Sequence, residues 1–183
     1  VTGSNSKMLS KDIGTEFRGR GDIIHINPIS FKDICEVIKN VDKEFLFKQY
    51  MMFGGLPEIW KITDDNRKIS YLKQQLVDTY IRDIQERHKI KNKNILFEIL
   101  MYLASIIGCY ASDSKILKTY KSGNVKINVK TLKNYLSYLE DAFIIKSAIR
   151  YDVKGKKYLK KLTKYYFSDV GIRNIMLEQR QYE

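Results

Sequence analysis

Residues 94–167 read NILFEILMYLASIIGCYASDSKILKTYKSGNVKINVKTLKNYLSYLEDAFIIKSAIRYDVKGKKYLKKLTKYYF, and the rest of the chain is arranged around them. An apolar run from Ile95 to Ile107 closes at Gly108 and predicts a first helix. Ser112–Tyr120 predicts a second, short helix that ends at a Ser-Gly-Asn turn. The leucine spacing predicts a third helix over Thr131–Phe143.

Two segments rich in β-branched and aromatic residues come next. Ile144–Tyr151 and Lys157–Phe167 flank a Lys-Gly-Lys turn, and this pattern predicts a hairpin. The order of three helices and a hairpin is typical of a winged helix-turn-helix, a module that most often binds DNA. The third helix is then the recognition helix, and the hairpin is the wing.

The predicted recognition helix has two faces. Leu132, Leu136 and Leu139 form a stripe that suits a core. Lysine and asparagine side chains lie on the other face, and both residue types can contact phosphates and base edges. The candidate DNA-binding residues of the helix, of the segment leading into it and of the wing are Lys126, Asn128, Lys130, Lys133, Asn134, Lys154, Lys156, Lys157 and Lys160.

The charge of the chain is concentrated in its second half. The formal net charge is +12, yet residues 1–86 hold 13 Lys and Arg against 13 Asp and Glu. Residues 87–183 hold 20 Lys and Arg against 8 Asp and Glu. A basic half beside a neutral half favours a polyanionic partner, here double-stranded DNA. The alternative is a lysine-rich surface that has no such partner.

Composition excludes several classes of protein. With 183 residues, 44% of them hydrophobic, the chain can bury one substantial core or two small ones. No apolar run approaches the roughly 18 residues of a membrane span, and the N-terminus lacks a signal-peptide pattern, so we expect a cytoplasmic protein without membrane contact. Cys35 and Cys109 stand far apart, and only two histidines are present, so we expect no disulfide framework and no metal site.

The first ninety residues predict a strand and a set of helices. Ile-rich residues 22–27 read as a short buried strand, and the sequence Ser30-Phe31-Lys32-Asp33 reads as a capping box that starts a helical unit. The longest helix of that unit begins at Asp64. The expected fold class is therefore mainly α with short strands (α+β). The expected segments are residues 1–30, 31–90, 91–171 and 172–183.

Six stretches occur here in the order seen in one family: TGSNSKMLS, FRGRGDIIHINPISFKDI, GGLPE, DTYIRDIQERHKI, KTLKNYLSYLEDAFII and KYYFSDVGIRN. Together they resemble the AAA-superfamily ATPases of bacteria and archaea that carry a C-terminal domain of unknown function. The resemblance implies that the chain is a fragment. Residues 1–30 would be a remnant of the ATPase core, residues 31–90 a helical lid and residues 91–171 the winged helix. Residues 172–183 would begin a linker to a nuclease-like domain.

The same resemblance implies roles for individual residues. Ser4 and Asn5 would be sensor 1 candidates, and Arg20 an arginine-finger candidate, in an intact parent that binds ATP and Mg²⁺ and hydrolyses ATP. Neither a Walker A loop nor a Walker B strand is present in these residues. We therefore expect the fragment itself to hold no cofactor and to hydrolyse no ATP.

A second function stays open at this point. In many AAA ATPases the winged helix packs against other domains or partner proteins, so a protein-docking module is the alternative to DNA binding. Exposure of Ile23, Ile24 and Ile26 would favour self-association through a bare strand edge. DNA binding predicts a continuous positive surface over the third helix and the wing, whereas docking predicts an apolar patch there.

Overall fold

The computed structural model of the chain describes residues 24–90, 92–121, 127–155 and 157–177, with the backbone alone described at 93, 119–121, 157 and 159–162. This part of the chain is mainly helical and contains a small three-stranded antiparallel sheet. The predicted α+β class is therefore confirmed. None of the described helices combines the length and the apolar character that crossing a bilayer requires.

Within the described residues, all three strands lie in the second half of the chain. The described elements of the first half are α1 (Phe31–Val37), α2 (Lys43–Phe53), a 3₁₀ turn (Pro57–Lys61), α3 (Asp65–Gln74), a π-helical segment (Gln75–Ile81) and α4 (Arg82–Arg87). Those of the second half are α5 (Lys93–Ser105), β1 (Tyr110–Ala111), α6 (Asp113–Lys121), α7 (Val129–Asp141), β2 (Ile145–Asp152), β3 (Lys157–Phe167) and α8 (Val170–Met176).

Side-chain caps fix the start of several helices where the sequence predicts them. The Ser30 hydroxyl oxygen accepts a hydrogen bond from the Asp33 backbone N–H at 3.3 Å, and Asp33 Oδ2 accepts one from the Ser30 N–H at 3.2 Å. This reciprocal pair confirms the predicted capping box. Asp64 caps α3 in a similar way, because its Oδ1 accepts a hydrogen bond from the Arg67 N–H at 2.8 Å.

The predicted buried strand over residues 22–27 is wrong for its described part, residues 24–27, which is extended but not paired in a sheet. Alternate side chains of an extended segment point to opposite sides. The His25 ring packs 4.5 Å from the Phe143 ring. Ile24 and Ile26 point the other way and are 83% and 87% exposed.

The sheet has the order β1–β3–β2, and both pairings are antiparallel. Strand β1 pairs with β3 opposite Thr163 and Lys164. Strands β2 and β3 pair in one register up to Ile149 and in another from Arg150 onward. The shift leaves residues 160–162 of β3 without a partner in β2. The hairpin therefore consists of a part near β1 and a distal part that has only two strands.

One hydrophobic cluster joins the two halves of the described chain. Its largest fully buried side chains include Leu72, Ile84, Leu96, Leu100, Leu132, Leu139 and Ile145. These residues come from helices on both sides of residue 91 and from β2. Helices α2 to α4 of the first half therefore share a core with the sheet, while the segment boundaries proposed from the sequence stay a prediction.

Helix α8 returns from the sheet to the N-terminal helices and is held there by buried polar contacts. The Asp169 carboxylate accepts hydrogen bonds from the Gly55 N–H at 2.7 Å and from the Ile172 N–H at 3.1 Å. Gly54 has φ +79°, and a Cβ there would lie 2.1 Å from Asp169 Oδ1. Asn174 Nδ2 donates to the backbone carbonyls of Met51 and Met52 at 2.8 and 3.0 Å. These contacts fix the sheet, and with it α7, against α2.

Candidate functional site

Helix α7 presents a polar and basic face to solvent. Leu132, Leu136 and Leu139 are buried, as the leucine spacing predicts. Lys130, Lys133 and Asn134, which are three of the candidate DNA-binding residues, are exposed. The core stripe and the exposed face therefore lie on opposite sides of one helix.

Asn128 has a structural role at the start of α7. Its Oδ1 accepts a hydrogen bond from the Thr131 N–H at 2.7 Å, which caps the helix. This side-chain oxygen is engaged within the protein, so the structure gives Asn128 a capping contact in addition to the role proposed from the sequence. The cap also leaves the electropositive N-terminus of α7 at the exposed end of the helix.

Lys133 is partly neutralised by a neighbour on α6. Its Nζ lies 3.6 Å from the Asp113 carboxylate, and both side chains are in contact with solvent. An ion pair of this kind contributes little to stability. It ties the first turn of α6 to α7.

A shallow groove runs beside α6. It has a volume of about 490 Å³ and is lined by Ser114, Lys115, Leu117 and Lys118. Two of its four residues are lysines, so the groove is itself basic. None of the four is among the candidate DNA-binding residues predicted from the sequence.

Strand β2 is exposed on both faces over most of its length. Ile145 is buried, but the following residues of β2 up to Tyr151 are exposed. Lys154, the described candidate at the wing tip, is exposed as well. Its backbone N–H donates to Asp152 Oδ1 at 3.2 Å and so helps to close the turn.

The structure does not place the side chains of the remaining candidate residues. Lys126 and Lys156 lie outside the described residues, as do Ser4, Asn5 and Arg20. Lys157 and Lys160 lie in β3, where the described part of the chain gives their backbone alone. Of the nine candidate DNA-binding residues, the structure therefore brings Lys130, Lys133 and Asn134 together on α7 and places Lys154 on the hairpin.

Within the described ranges, no group of three or more His, Cys, Asp and Glu side chains could hold a metal ion. His88 stacks on Tyr138, with ring centroids 3.5 Å apart and planes inclined by 8°. This contact packs the end of α4 against α7. Cys35 and Cys109 are free thiols.

A second groove, which the sequence did not indicate, lies next to the π-helical segment. It has a volume of about 500 Å³ and is lined by Val77, Ile81, Arg82, Gln85, Glu86, Lys89, Ile90, Asn94 and Phe97. Apolar spacing predicts a helix over this segment but cannot distinguish one π turn within it. The Arg82 guanidinium at its rim is paired with Asp78 at 2.8 Å.

Comparison with known proteins places the chain in a family. A family model described as a domain of unknown function, DUF8612, matches residues 44–183, and the chain belongs to this family. An uncharacterised protein of Haemophilus influenzae is 35% identical over 178 residues, which cover 94% of this chain and 44% of the relative. The uncharacterised protein MJ1544 of Methanocaldococcus jannaschii is 36% identical over 157 residues, which cover 79% of this chain and 35% of the relative.

The chain thus spans less than half the length of these relatives. No solved structure matches it.

These matches correct the resemblance to AAA-superfamily ATPases. The family is a domain of unknown function, and neither relative has a name that mentions an ATPase, ATP binding or DNA binding. The assignment to AAA ATPases, and with it ATP binding, is therefore wrong. The structure gives a different reason for two of the quoted stretches, GGLPE and KYYFSDVGIRN: Gly54, Gly55 and Asp169 meet in a packing contact.

The roles of Ser4, Asn5 and Arg20, and the expectation of ATP and Mg²⁺ in a longer parent, rested on that resemblance alone. Since the resemblance is overturned, no argument for these roles and cofactors remains.

Proposed function

We propose that residues 93–167 form a winged helix whose basic surface binds double-stranded nucleic acid. The element order supports this fold, because α5, β1, α6, α7, β2 and β3 follow one another as helix, strand, helix, helix and hairpin. The pairing of β1 with β3 supports it too, since the short strand after the first helix joins the hairpin as a third strand. In helix-turn-helix modules the second helix of the motif, here α7, lies in the major groove.

The observation that carries the proposal is the exposed basic face of α7 in a strongly cationic module. Residues 93–167 contain 15 Lys and Arg but 5 Asp and Glu, so they hold +10 of the net +12. Lys130 and Lys133 lie in the first half of α7, next to the positive end of its dipole. Glu140 and Asp141 lie at its other end. We infer that the N-terminal half of α7 faces the phosphates.

A salt series with lysine variants tests this proposal. Replacing Lys130 and Lys133 with Gln removes two charges from α7 without disturbing its buried leucines. Fluorescence anisotropy of a labelled random duplex should show weaker binding on every sequence. The slope of log affinity against log salt should fall by about 2, because each phosphate contact contributes roughly 0.9.

The matched control replaces Lys32 and Lys48 with Gln. These exposed lysines of α1 and α2 are each paired with a glutamate of their own helix, at 3.8 and 2.8 Å. The control should bind the duplex like the wild-type protein. Equally weakened duplex binding in both variants, or no binding by the wild-type protein at low salt, would contradict the proposal.

A second candidate function is docking through a protein surface. The observation that favours it is the exposure of Ile24 and Ile26 on an extended, unpaired segment. The contact between His25 and Phe143 places this segment beyond the C-terminal end of α7. With 13 residues, α7 is about 20 Å long, so the apolar segment and the basic end of the helix are separate surfaces.

Self-association is the form of docking that an open edge predicts. Sedimentation velocity over a concentration series should show a dimer in the wild-type protein and a monomer when Ile24 and Ile26 are replaced with Ser. Val37→Ser with Val41→Ser is the control, because these exposed valines flank the end of α1. A wild-type protein that stays monomeric at every concentration would exclude self-association.

A further inference from the structure

The distal part of the hairpin carries two exposed aromatic rings. Tyr151 and Tyr158 are directly opposite each other in β2 and β3, with ring centroids 5.0 Å apart and planes inclined by 60°. They are 48% and 66% exposed, and Val153 at the turn is 76% exposed. Rings held by the core would be covered, so this pair is presented to solvent by a ribbon that extends beyond the packed sheet.

The change of register separates these rings from the core. Because residues 160–162 have no partner in β2, β3 carries three extra residues opposite the step between Ile149 and Arg150. Extra residues in one strand bend and twist a hairpin locally. The third strand, β1, pairs with β3 on the core side of the shift and does not reach the distal part.

A two-stranded ribbon is marginally stable by itself. A ribbon that also exposes two tyrosines and a valine is stabilised most when a partner covers these side chains.

The charge around the rings identifies the chemistry of that partner. Residues 145–167 contain eight Lys and Arg and a single acid, Asp152. The Asp152 carboxylate accepts a hydrogen bond from the Lys154 N–H and thus serves the turn. Arg150 and Lys154 flank the tyrosines in sequence and are exposed. A polyanion that also offers flat, apolar faces meets both requirements.

We propose that Tyr151 and Tyr158 of the distal hairpin, with Arg150 and Lys154 beside them, bind the unpaired bases of a nucleic acid, next to the duplex that α7 contacts. This inference rests on the proposed function and names its substrate: duplex with an adjoining single-stranded segment. In an intact duplex the faces of the bases are stacked on one another and are closed to a tyrosine ring. In a single strand the faces are open, and aromatic side chains beside cationic ones bind them irrespective of sequence.

The rings favour bases over an anionic membrane. A membrane-inserting segment carries a broad apolar face with Trp, Phe or Leu. Here Val153 is the one aliphatic side chain among the described residues of the turn, and both aromatic rings end in a hydroxyl. Anionic vesicles therefore serve as the competing arm of the test.

The test compares two labelled DNAs of equal duplex length, one blunt and one with a single-stranded overhang of about 12 nucleotides, which is longer than the shortest sites of single-strand binders. The variants are Tyr151→Ser with Tyr158→Ser, and Tyr151→Phe with Tyr158→Phe, which keeps the rings. Tyr166→Ser is the matched control, because Tyr166 is 41% exposed on the same strand as Tyr158 but lies on the core side of the register shift. Circular dichroism of each variant checks that it is folded.

The wild-type protein should bind the overhang DNA about 10-fold more tightly than the blunt DNA. The serine pair should lose this preference while its affinity for blunt duplex stays close to that of the wild-type protein. The phenylalanine pair and Tyr166→Ser should keep the preference. If the serine pair fails to fold, Tyr158→Ser alone, which removes the more exposed ring, takes its place and should weaken the preference.

Each other outcome has a distinct meaning. Salt-sensitive binding of blunt duplex without any gain from the overhang overturns the inference and leaves the proposed function standing. Binding of the overhang alone, with no contribution from Lys130 and Lys133, overturns the proposed function. The contact between the tyrosines and the unpaired bases then still stands. A tyrosine-dependent affinity for vesicles of phosphatidylserine and phosphatidylcholine, with none for overhang DNA, overturns the inference. The partner of the hairpin would then be a membrane.

Discussion

At the scale of single residues, Asp169 is a buried carboxyl group with a structural role. Burial raises the pKa of its carboxyl group above the ordinary 3.8, while hydrogen bonds from the backbone N–H groups of Gly55, Ile172 and Gly171 lower it. The Gly55 bond closes a separation of 114 residues. Asp169 therefore caps α8 and anchors it to the end of α2, which positions the sheet and α7.

Replacing Asp169 with Asn tests this anchor. An amide keeps one acceptor oxygen but places an NH₂ group against either the Gly55 or the Ile172 backbone N–H. We expect a loss of about 1–3 kcal/mol in the free energy of unfolding, as for a buried hydrogen bond that is broken. Urea denaturation followed by circular dichroism measures it. An unchanged midpoint would show that the two bonds contribute no net stability.

The stability difference between the wild-type protein and Asp169→Asn should depend on pH. Because the folded-state pKa of Asp169 is raised, the folded protein holds the proton more tightly than the unfolded chain does. The stability from this group is fully present below 3.8 and is lost as pH rises through the folded-state pKa. The stability difference between the wild-type protein and Asp169→Asn should thus be larger near about pH 4 than near about pH 7. A difference that grows towards neutral pH contradicts the raised pKa.

At the scale of elements, α7 combines a structural face, a polar face and a cap at the end where binding is proposed. The buried leucines fix its rotation, so Lys130 and Lys133 are directed to solvent by packing on the opposite side. Asn128 holds the first turn. A change at Asn128 can therefore affect stability and nucleic-acid affinity by separate routes.

Two variants of Asn128 separate these routes. Asn128→Ala should lower the free energy of unfolding by about 1 kcal/mol, because the cap of the Thr131 N–H is lost. Asn128→Asp keeps a capping oxygen, so we expect stability close to that of the wild-type protein, yet it adds a negative charge where phosphates are expected. Thermal unfolding and duplex anisotropy measure the two effects. Full duplex affinity in Asn128→Asp would place the interface away from this end of α7.

At the scale of the whole molecule, the helices from α2 onward and the sheet share one hydrophobic cluster. Asn174 adds a polar connection, because its amide donates to the carbonyls of Met51 and Met52 at the end of α2. Shared burial couples the two halves energetically. We therefore expect them to unfold together rather than as independent domains.

Asn174→Ala probes this coupling. The substitution leaves two carbonyl oxygens without their donor and should lower stability by about 1–3 kcal/mol. Unfolding followed by the fluorescence of Trp60, in the first half, and by near-ultraviolet circular dichroism of the tyrosines, most of which lie in the second half, should give one coincident transition. Two separate transitions would mean that the halves are independent domains joined by a passive contact.

Local features of this protein follow from the amino-acid sequence alone. The caps at Ser30 and Asp64, the leucine stripe of α7 and the hairpin depend on residues close together in the chain, and each was predictable from spacing and residue type. The concentration of positive charge in the second half is a property of composition alone. Short motifs were less informative: GGLPE and SDVG resembled an ATPase family, whereas the structure shows them packed against each other.

Features that join distant residues depend on the tertiary fold. The contact between Gly55 and Asp169, the exposure of Ile24 and Ile26 and the register shift beyond Ile149 have no local pattern. Periodicity shows which side chains are apolar, but burial depends on what the rest of the chain places against them. For this reason Ile26 is exposed although it looks like a core residue, and Asp169 is buried although it is charged.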